Sequence, residues 1–192
     1  MTDVIHLDAE ALRVLAHPLR SRLLSELRMN GAATATELAD RLTTNTGATS
    51  YHLRKLEAVG LVTDTGTGSG KRRVWESSSR GHEWTPSDFV GDEDAEASLS
   101  WLGRHYASEM QARADRWFAA ERAWPQEWRD ALGYGDDGVH VTAAQAAALR
   151  KEIHDVVTRY RHAGAGDPDA TEVLIHTILL PTDTRPPAGD AR

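Results

Sequence analysis

Apolar residues recur at helical spacing near the start of the chain. Leu23, Leu24 and Leu27 lie on one face of a helix predicted over residues 19–29. A shorter helix is predicted over residues 9–16. His17-Pro18 separates the two, because proline fits only the first turn of a helix and disfavours helix at the residue before it. The pattern therefore begins with two short helices.

Two further helices are predicted, joined by a short polar turn. Thr34 and Glu37 have the spacing of a capping box, which begins the third helix. Asn45 is predicted to cap the fourth helix and Gly60 to end it. The predicted buried positions are Leu38 and Leu42 in the third helix and Leu53, Leu56 and Val59 in the fourth. Two helices joined in this way are typical of a helix-turn-helix.

The pattern changes from helical spacing to alternation after Gly60. Residues 61–64 and 72–76 alternate in polarity, which predicts two strands of a hairpin. Residues 65–71 form a glycine-rich tip between them. A hairpin directly after a helix-turn-helix lies where the wing of a winged helix would be.

The second half of the chain is predicted to be mainly helical. A long amphipathic helix is predicted over residues 92–123, a short one over 126–132 and another over 142–162. Residues 172–180 are mostly aliphatic with Thr, which is typical of a strand, and Pro181 ends this run.

These elements predict an α+β, mostly helical fold, in which an N-terminal winged helix-turn-helix precedes a helical dimerisation region with a short C-terminal β-strand. The winged domain is predicted over residues 1–80 and a linker over residues 81–91, where Ser, Gly, Pro and acidic residues are frequent. Residues 92–182 are predicted to dimerise and to be a candidate effector region. Residues 183–192 are predicted to be a disordered tail.

The charge of the chain is unevenly distributed. The 192 residues carry a net charge of −7, but residues 1–80 contain 11 Lys and Arg against 9 Asp and Glu, whereas residues 81–192 contain 11 against 20. Phosphate binding responds to local basic surface rather than to the charge of the whole chain. The split is therefore compatible with nucleic-acid binding by the first part.

Composition also limits the class of protein. The chain has no cysteine, which excludes disulfides, thiolate metal sites and cysteine nucleophiles. No apolar run approaches the ~20 residues of a membrane-spanning helix, and no signal-peptide pattern is visible. A cytoplasmic protein without membrane contacts is predicted.

One face of the fourth helix carries polar side chains suited to a DNA major groove. Arginine can read guanine through two hydrogen bonds, and Ser and Thr hydroxyls can bind bases or phosphates. A glycine on this face would let the backbone approach closely. The predicted DNA-contacting residues here are Thr46, Gly47, Ser50, Tyr51, Arg54 and Lys55. The alternative is an ordinary exposed face of a small helical domain.

Basic residues elsewhere extend this predicted interface. A compact cation cluster at the hairpin tip suits the DNA backbone or the minor groove. It consists of Lys71, Arg72 and Arg73. Arg20 and Arg22, at the start of the second helix, could contact phosphates. Equally, either could pair with Glu26 or be solvated.

Three stretches carry a family resemblance: LeuAlaHisProLeuArgSerArgLeuLeuSerGluLeu at 15–27, ThrGluLeuAlaAspArgLeu at 36–42 and SerTyrHisLeuArgLysLeuGluAlaValGlyLeuVal at 50–62. Together they resemble the DNA-binding domain of the ArsR-like bacterial repressors, a winged helix-turn-helix family, over roughly residues 9–78. The resemblance implies a homodimeric transcriptional regulator, often a repressor released by a ligand. Its groove-reading residues would be Thr46, Ser50, Tyr51 and Arg54.

Two features differ from the founding members of that family. Those proteins sense metals or metalloids through cysteines or through His and Asp sets, and this chain has no cysteine. Their chains end soon after the wing and one dimerising helix, whereas this chain continues for more than a hundred residues after Glu76. It resembles the longer members that have an added C-terminal region.

Aromatic residues in the C-terminal half suggest a pocket for an organic effector. The candidates are Trp101, Tyr106, Trp117, Trp124 and Trp128. The alternative, which residues at helical spacing favour, is that these rings pack a dimer interface and a core. His105, His154, His162 and Asp155 could also supply imidazole and carboxylate ligands to a metal ion. Their spacing specifies no site, so no metal and no cofactor is predicted.

Together these patterns predict a sequence-specific regulator of transcription that binds double-stranded DNA. It would be a homodimeric repressor that reads a palindromic operator through helix 45–59 and a basic wing. The predicted partners are operator DNA, a second copy of the chain and an unidentified small-molecule effector. The alternative is a winged-helix module that binds protein without specific DNA binding. An enzyme is not predicted, because the C-terminal half has no nucleophile-elbow, phosphate-loop or HisGlu-x-x-His pattern.

Overall fold

The computed structural model describes residues 2–70, 72–183 and 185, with side-chain burial from Val4 onward. The chain forms two compact units, residues 1–117 and 118–192. Its elements are mostly helices with a few short strands, which confirms the α+β, mostly helical class. No helix in the described ranges is long and apolar enough to cross a membrane.

The first unit contains five strands and most of five helices within its described residues. In chain order they are β1 (Thr2–His6), α1 (Ala9–Leu15), α2 (Pro18–Asn30), β2 (Ala33–Thr34), α3 (Ala35–Arg41), α4 (Thr46–Ala58), β3 (Val62–Asp64), β4 (Val74–Ser77), β5 (Ser79–Glu83) and α5 (Glu93–Ala120). A short 3-10 turn, Pro86–Phe89, precedes α5, whose last residues belong to the second unit.

The predicted helix boundaries have clear local causes. Thr34 and Glu37 form the predicted capping box of α3. The Asn45 side chain accepts a hydrogen bond from the Ala48 amide at 2.8 Å, which satisfies one exposed donor at the start of α4. Gly60 has a φ of 72°, a backbone conformation that favours glycine, and the chain turns there from α4 into β3.

The wing is a sheet of three antiparallel strands in the order β2-β4-β3. The two predicted hairpin strands pair with Thr63 opposite Glu76. The third strand, β2, was not predicted because it has only two residues, Ala33 and Thr34, which pair with Trp75 and Val74. Its pairing ties the wing to the start of α3.

A second sheet occupies part of the segment expected to be a linker. Strand β1 runs parallel to β5, with Val4 opposite Gly81 and Ile5 opposite His82. The 3-10 turn after β5 buries Phe89. The first compact unit therefore continues without a break to residue 117, rather than ending near residue 80.

The core of the first unit is built mainly from leucines. Every helix from α1 to α5 contributes, because each has an apolar stripe at helical spacing. The fully buried large residues are Leu7, Leu12, Leu15, Leu23, Leu24, Leu38, Leu53, Leu56, Leu61, Val62, Phe89 and Leu102. This core holds α4 with one face inward and the other exposed.

The second unit is made of helices and extended chain. A 3-10 turn (Glu121–Ala123) is followed by α6 (Gln126–Ala131) and α7 (Ala143–Tyr160), and α7 begins with the predicted capping box of Thr142 and Gln145. The strand expected over residues 172–180 is not formed, since this segment belongs to neither sheet of the described chain. A strand requires a neighbour to satisfy its backbone groups.

Candidate nucleic-acid interface

Helix α4 is fixed by one buried face. Thr49, Leu53 and Leu56 are fully buried, and the Thr49 hydroxyl donates to the Asn45 carbonyl at 3.0 Å. Burying the two leucine side chains stabilises the packing of α4 by about 3–6 kcal/mol relative to leaving them exposed. The orientation of the opposite face is therefore set by the core.

The opposite face of α4 carries the residues predicted to contact DNA. Thr46, Gly47, Tyr51, Arg54 and Lys55 are exposed, and Ser50 is half-buried. The Tyr51 side chain is 54% exposed, which is unusual for an aromatic ring. The structure thus brings all six predicted residues to one accessible helix face.

Two cations on this face are available to a ligand. Neither Arg54 nor Lys55 forms an ion pair with any residue that the structure describes. The Lys55 ammonium lies 5.8 Å from the centre of the Tyr51 ring, within the range of a cation–π contact. Phosphate or base contacts by these side chains would not require breaking a salt bridge.

The turn between α3 and α4 sets the relation of the two helices. Thr43 has a φ of 52°, a left-handed conformation that is uncommon for a β-branched residue. The Thr44 amide donates to the Ala39 carbonyl at 2.9 Å, and Arg22 donates to the Leu42 carbonyl at 3.4 Å. This strained residue lies in the turn that sets the direction of α4 relative to α3.

Arg20 and Arg22 have internal contacts instead of the Glu26 pairing considered from the sequence. Arg20 donates to the Val14 carbonyl, and burial lowers the pKa of its guanidinium. The Glu26 carboxylate accepts a hydrogen bond from the Asn30 side chain at 2.8 Å and forms an ion pair with Arg41 at 3.5 Å. Arg22 remains exposed beside the turn, while Arg20 is partly buried.

Two histidines join α4 to the start of α2. The rings of His17 and His52 lie 4.5 Å apart, and His17 accepts from the Leu19 amide as the cap of α2. Burial and the nearby Arg20 charge lower the pKa of His17, and burial followed by the His17 and Arg20 charges lowers that of His52. The Nδ1 atom of His52 is buried and has no hydrogen-bond partner within the described chain.

The wing cations are partly neutralised by neighbouring acids. Arg72 is 62% exposed and lies 3.6 Å from Glu37, whose pKa is lowered mainly by hydrogen bonds from the Thr34 amide and hydroxyl. Arg73 lies 3.4 Å from both Glu57 and Asp64 and packs 5.5 Å from the Trp75 ring centre. Arg72 is therefore more available to DNA than Arg73.

The remaining wing candidate, Lys71, lies outside the described residues. A hollow of about 460 Å³, open to solvent, lies at the hairpin tip. It is lined by Asp64, Gly66, Gly68, Gly70, Arg72 and Arg73, and by none of the aromatic residues predicted to hold an effector.

A partly buried polar network joins α2, β5 and α5. Arg28 donates to the Ser79 carbonyl at 3.0 Å and to His82 Nδ1 at 2.5 Å, and His82 Nε2 lies 2.8 Å from the Tyr106 hydroxyl. Because arginine can only donate, His82 is neutral with its proton on Nε2. Burial lowers the pKa of His82 to about 3 and that of Arg28 to about 10.

Sequence reasoning missed this network because its members are 54 and 24 positions apart. Arg28 forms no ion pair with a described acidic residue, and its charge is held by neutral acceptors alone. Leaving a partly buried guanidinium without its acceptors is costly, so the network fixes α5 against α2.

The five aromatic effector candidates do not share one environment. Trp101 and Tyr106 pack against the core of the first unit, and Trp101 stacks on His105 at 4.8 Å. Trp124 and Trp128 contact each other edge to face at 6.2 Å in the second unit. The effector pocket therefore stays a prediction. Among the described residues, no group of three His, Asp or Glu side chains is placed to hold a metal ion.

Comparison with known proteins agrees with the architecture of the first unit. Residues 15–65 match the family described as a helix-turn-helix domain, a span that runs from the end of α1 through β3. No curated protein matches the chain. With the hairpin that follows α4, this match supports a winged helix-turn-helix regulator that binds DNA.

Proposed function

We propose that the chain is a homodimeric transcriptional repressor that reads a palindromic DNA operator. In each protomer α4 enters a major groove and the wing contacts the adjoining backbone. The observation that carries the proposal is the exposed face of α4, where five polar or cationic residues and Gly47 stand opposite a buried leucine stripe. The ArsR-like subtype, the cytoplasmic location and the absence of enzymatic activity are parts of the same proposal.

Base reading is assigned to the residues nearest the start of α4. Recognition helices contact bases mainly through their N-terminal residues. Thr46, Gly47 and Ser50 lie in the first turns, and Arg54 follows Ser50 by one turn on the same face. Arg54 is the residue best suited to guanine, because a guanidinium can donate two parallel hydrogen bonds to its major-groove edge.

Phosphate binding is assigned to Lys55, Arg22 and the wing. These groups lie at the sides of the exposed α4 face or on neighbouring elements, and Arg72 is mostly exposed. Contacts of this kind position the protein without reading sequence. Each phosphate neutralised releases counterions, so affinity should fall steeply with salt.

A dimer gives the proposal its operator geometry. One recognition helix covers only a few base pairs, and two helices about 34 Å apart read two half-sites separated by one turn of DNA. An effector bound to the C-terminal region would act by favouring one of two arrangements of these helices. The aromatic residues of that region are the candidates to receive it.

Selection from a random pool of double-stranded DNA tests the function without knowledge of the operator. The proposal expects the full chain to enrich a palindrome with half-sites about 10 base pairs apart. Enrichment of no sequence, together with only salt-sensitive uniform binding, would contradict specific reading and favour a protein-interaction module. Repeating the selection with cell extract shows whether a ligand releases the protein.

A further inference from the structure

An arginine at the base of the wing hairpin contacts two acidic residues on different elements. Arg73 lies just before β4, and its Nε atom lies 3.4 Å from a carboxylate oxygen of Asp64 at the end of β3. Its Nη1 atom lies 3.4 Å from a carboxylate oxygen of Glu57 on α4. The first contact joins the two sides of the hairpin, and the second joins the hairpin to the helix. We call these three residues the Arg73 bridge.

The Arg73 guanidinium also packs on a buried ring. It lies 5.5 Å from the centre of the Trp75 ring, within the range of a cation–π contact. Trp75 is only 2% exposed and belongs to the core of the first unit, and its backbone pairs with that of Asp64 across the hairpin. Because the core holds this ring, the ring gives the guanidinium a fixed surface to pack against. The Arg73 bridge is therefore built on the part of the wing that the core holds.

Asp64 connects the Arg73 bridge to the hairpin tip. Its second carboxylate oxygen accepts a hydrogen bond from the Gly66 amide at 3.0 Å. The adjoining backbone contact crosses the hairpin, where the Thr65 amide donates to the Val74 carbonyl at 2.8 Å. A carboxylate that binds both the backbone of the tip and a guanidinium restrains the start of the tip. Fixing Asp64 in the bridge therefore fixes the direction in which the tip leaves the sheet.

The two adjoining arginines of the wing are placed for different tasks. The Arg72 side chain is 62% exposed and forms an ion pair with Glu37 at 3.6 Å. The Arg73 side chain is 52% exposed but faces two carboxylates. If Arg73 left them to bind a DNA phosphate, Glu57 and Asp64 would keep two unpaired negative charges beside a polyanion, which opposes binding. Arg72 can therefore contact DNA at a lower cost than Arg73.

We propose that Arg73 is a positioning residue for DNA binding rather than a DNA contact. The Arg73 bridge holds the wing against the end of α4, so that the phosphates reached by the wing lie at a set distance from the bases that α4 reads. An exposed ion pair contributes little by itself, whereas a guanidinium that donates along two directions to two carboxylates forms a small network. A wing that is ordered before it meets DNA loses less conformational freedom on binding. The effect of the bridge on DNA affinity rests on the proposed function, whereas its effect on the free wing does not.

Glu57→Gln separates positioning from phosphate contact by the sign of its effect. If Arg73 bound a phosphate, removing the competing Glu57 charge would raise DNA affinity and steepen its salt dependence. If the bridge positions the wing, the same change should lower affinity for the selected palindrome by about 1.5- to 5-fold, the size of one exposed ion pair, with little change in the salt slope. Asp40→Asn removes the charge of an exposed acid on α3 and is the matched control. A Glu57→Gln chain that binds as tightly as Asp40→Asn, or more tightly, would overturn the proposal.

Arg73→Lys keeps the positive charge and removes the forked guanidinium. An ammonium cannot donate along the two directions of the bridge while stacking on the Trp75 ring as a planar guanidinium does. We expect Arg73→Lys to lower affinity by about the same factor as Glu57→Gln, and the double variant to lose no more than the larger single loss. Arg72→Lys is the matched control and should keep most of the parent affinity, because lysine also binds phosphate as a point charge. Parent affinity in Arg73→Lys, or additive losses in the double variant, would overturn the proposal.

Distance measurements on the free protein test the Arg73 bridge without DNA. The chain has no cysteine, so spin labels can be attached at Ala58→Cys on α4 and Ser69→Cys at the hairpin tip, both exposed positions. The distribution of distances between the labels should be narrow in this labelled parent, broader after Arg73→Lys or Glu57→Gln, and unchanged after Asp40→Asn. Circular dichroism of the helices checks that each labelled chain is folded. Distributions of equal width in all four chains, whether narrow or broad, would overturn the proposal.

The two kinds of measurement distinguish failure of the Arg73 bridge from failure of the proposed function. A chain that binds DNA specifically, but whose affinity and label distances ignore both Arg73→Lys and Glu57→Gln, would overturn the bridge and leave DNA reading intact. A chain that selects no DNA sequence would overturn the reader together with the positioning role, even if the label distances respond. We expect specific binding by the parent, weaker binding by both variants and broader distances in both variants to occur together.

Discussion

The two units of this chain use apolar residues in opposite ways. In the first unit, leucines from five helices are buried together and leave a polar, cationic face exposed on α4. In the second unit no described residue is buried, and aliphatic side chains remain at the surface. A buried core defines a folded domain, whereas an exposed apolar run defines a place where something else must pack. The first unit therefore has the features of an independently folded domain, whereas the second leaves apolar side chains without a core of its own.

Removing a core leucine should give the largest effect. Leu53→Ala leaves a cavity beneath α4 and should lower the free energy of unfolding by about 2–5 kcal/mol. Val173→Ala, a matched aliphatic truncation in the second unit, should change the unfolding of the first unit by no more than about 0.5 kcal/mol. Urea unfolding followed by helical circular dichroism measures both. Effects of equal size would erase the distinction between the units.

Acid should weaken the first unit through the partly buried His82. The fold keeps this ring neutral with a pKa near 3, while the unfolded chain takes up a proton near 6.5. Stability from this ring is complete above pH 6.5 and is lost as pH falls toward 3. Relative to His82→Gln, which retains both hydrogen-bonding functions, the parent should lose about 2 kcal/mol between pH 7 and pH 5. An equal loss of stability in the two proteins across this range would contradict a histidine that the fold keeps neutral.

The extent to which the fold could be predicted from the sequence differs between the two units, for a physical reason. The helices and caps of the first unit follow local rules, so the roles of Thr34, Asn45 and Gly60 could be predicted from spacing alone. The β1–β5 pair could not, because parallel pairing of residues 2–6 with 79–83 depends on contacts far apart in sequence. The strand over 172–180 has the right composition, but a strand needs a partner that spacing does not identify.

In the candidate site, too, local features could be predicted from the sequence and tertiary contacts could not. Helical periodicity was sufficient to select the exposed face of α4, including Tyr51 and Arg54. The pairing of Arg73 with Glu57 and Asp64 was hidden, because it depends on how the hairpin folds back over α4. The local sequence predicted which residues could contact DNA. Tertiary contacts decide which of the cationic side chains among them already form ion pairs within the protein.

The wing carries two arginines that differ in how far their charge is already paired with acidic residues, Arg72 less and Arg73 more. Arg72→Ala should lower DNA affinity at every sequence and reduce the slope of log affinity against log salt by about 1. Arg73→Ala should change that slope less, because its charge already faces two acids at 3.4 Å. Salt titrations of DNA binding compare them. A larger slope change for Arg73 would mean that DNA binding rearranges the wing ion pairs.

Relief of strain in the turn before α4 should give the smallest effect. Thr43 has a φ of 52°, and asparagine tolerates this conformation better than a β-branched residue. Thr43→Asn should raise the free energy of unfolding by up to about 1 kcal/mol, measured in urea. Thr171→Asn, in the exposed extended segment, is the control and should leave stability unchanged. A destabilised Thr43→Asn chain would show that the threonine side chain contributes more than its backbone costs.

Arg54→Ala tests most directly whether the exposed face of α4 reads DNA sequence. Affinity for the selected palindrome and for a scrambled duplex should be measured at one salt concentration, with Arg150→Ala on α7 as the matched control. Arg54→Ala should lose about 1–3 kcal/mol on the palindrome and much less on the scrambled duplex, so that discrimination falls. Unchanged discrimination in Arg54→Ala, or an equal loss in Arg150→Ala, would contradict sequence reading by this face.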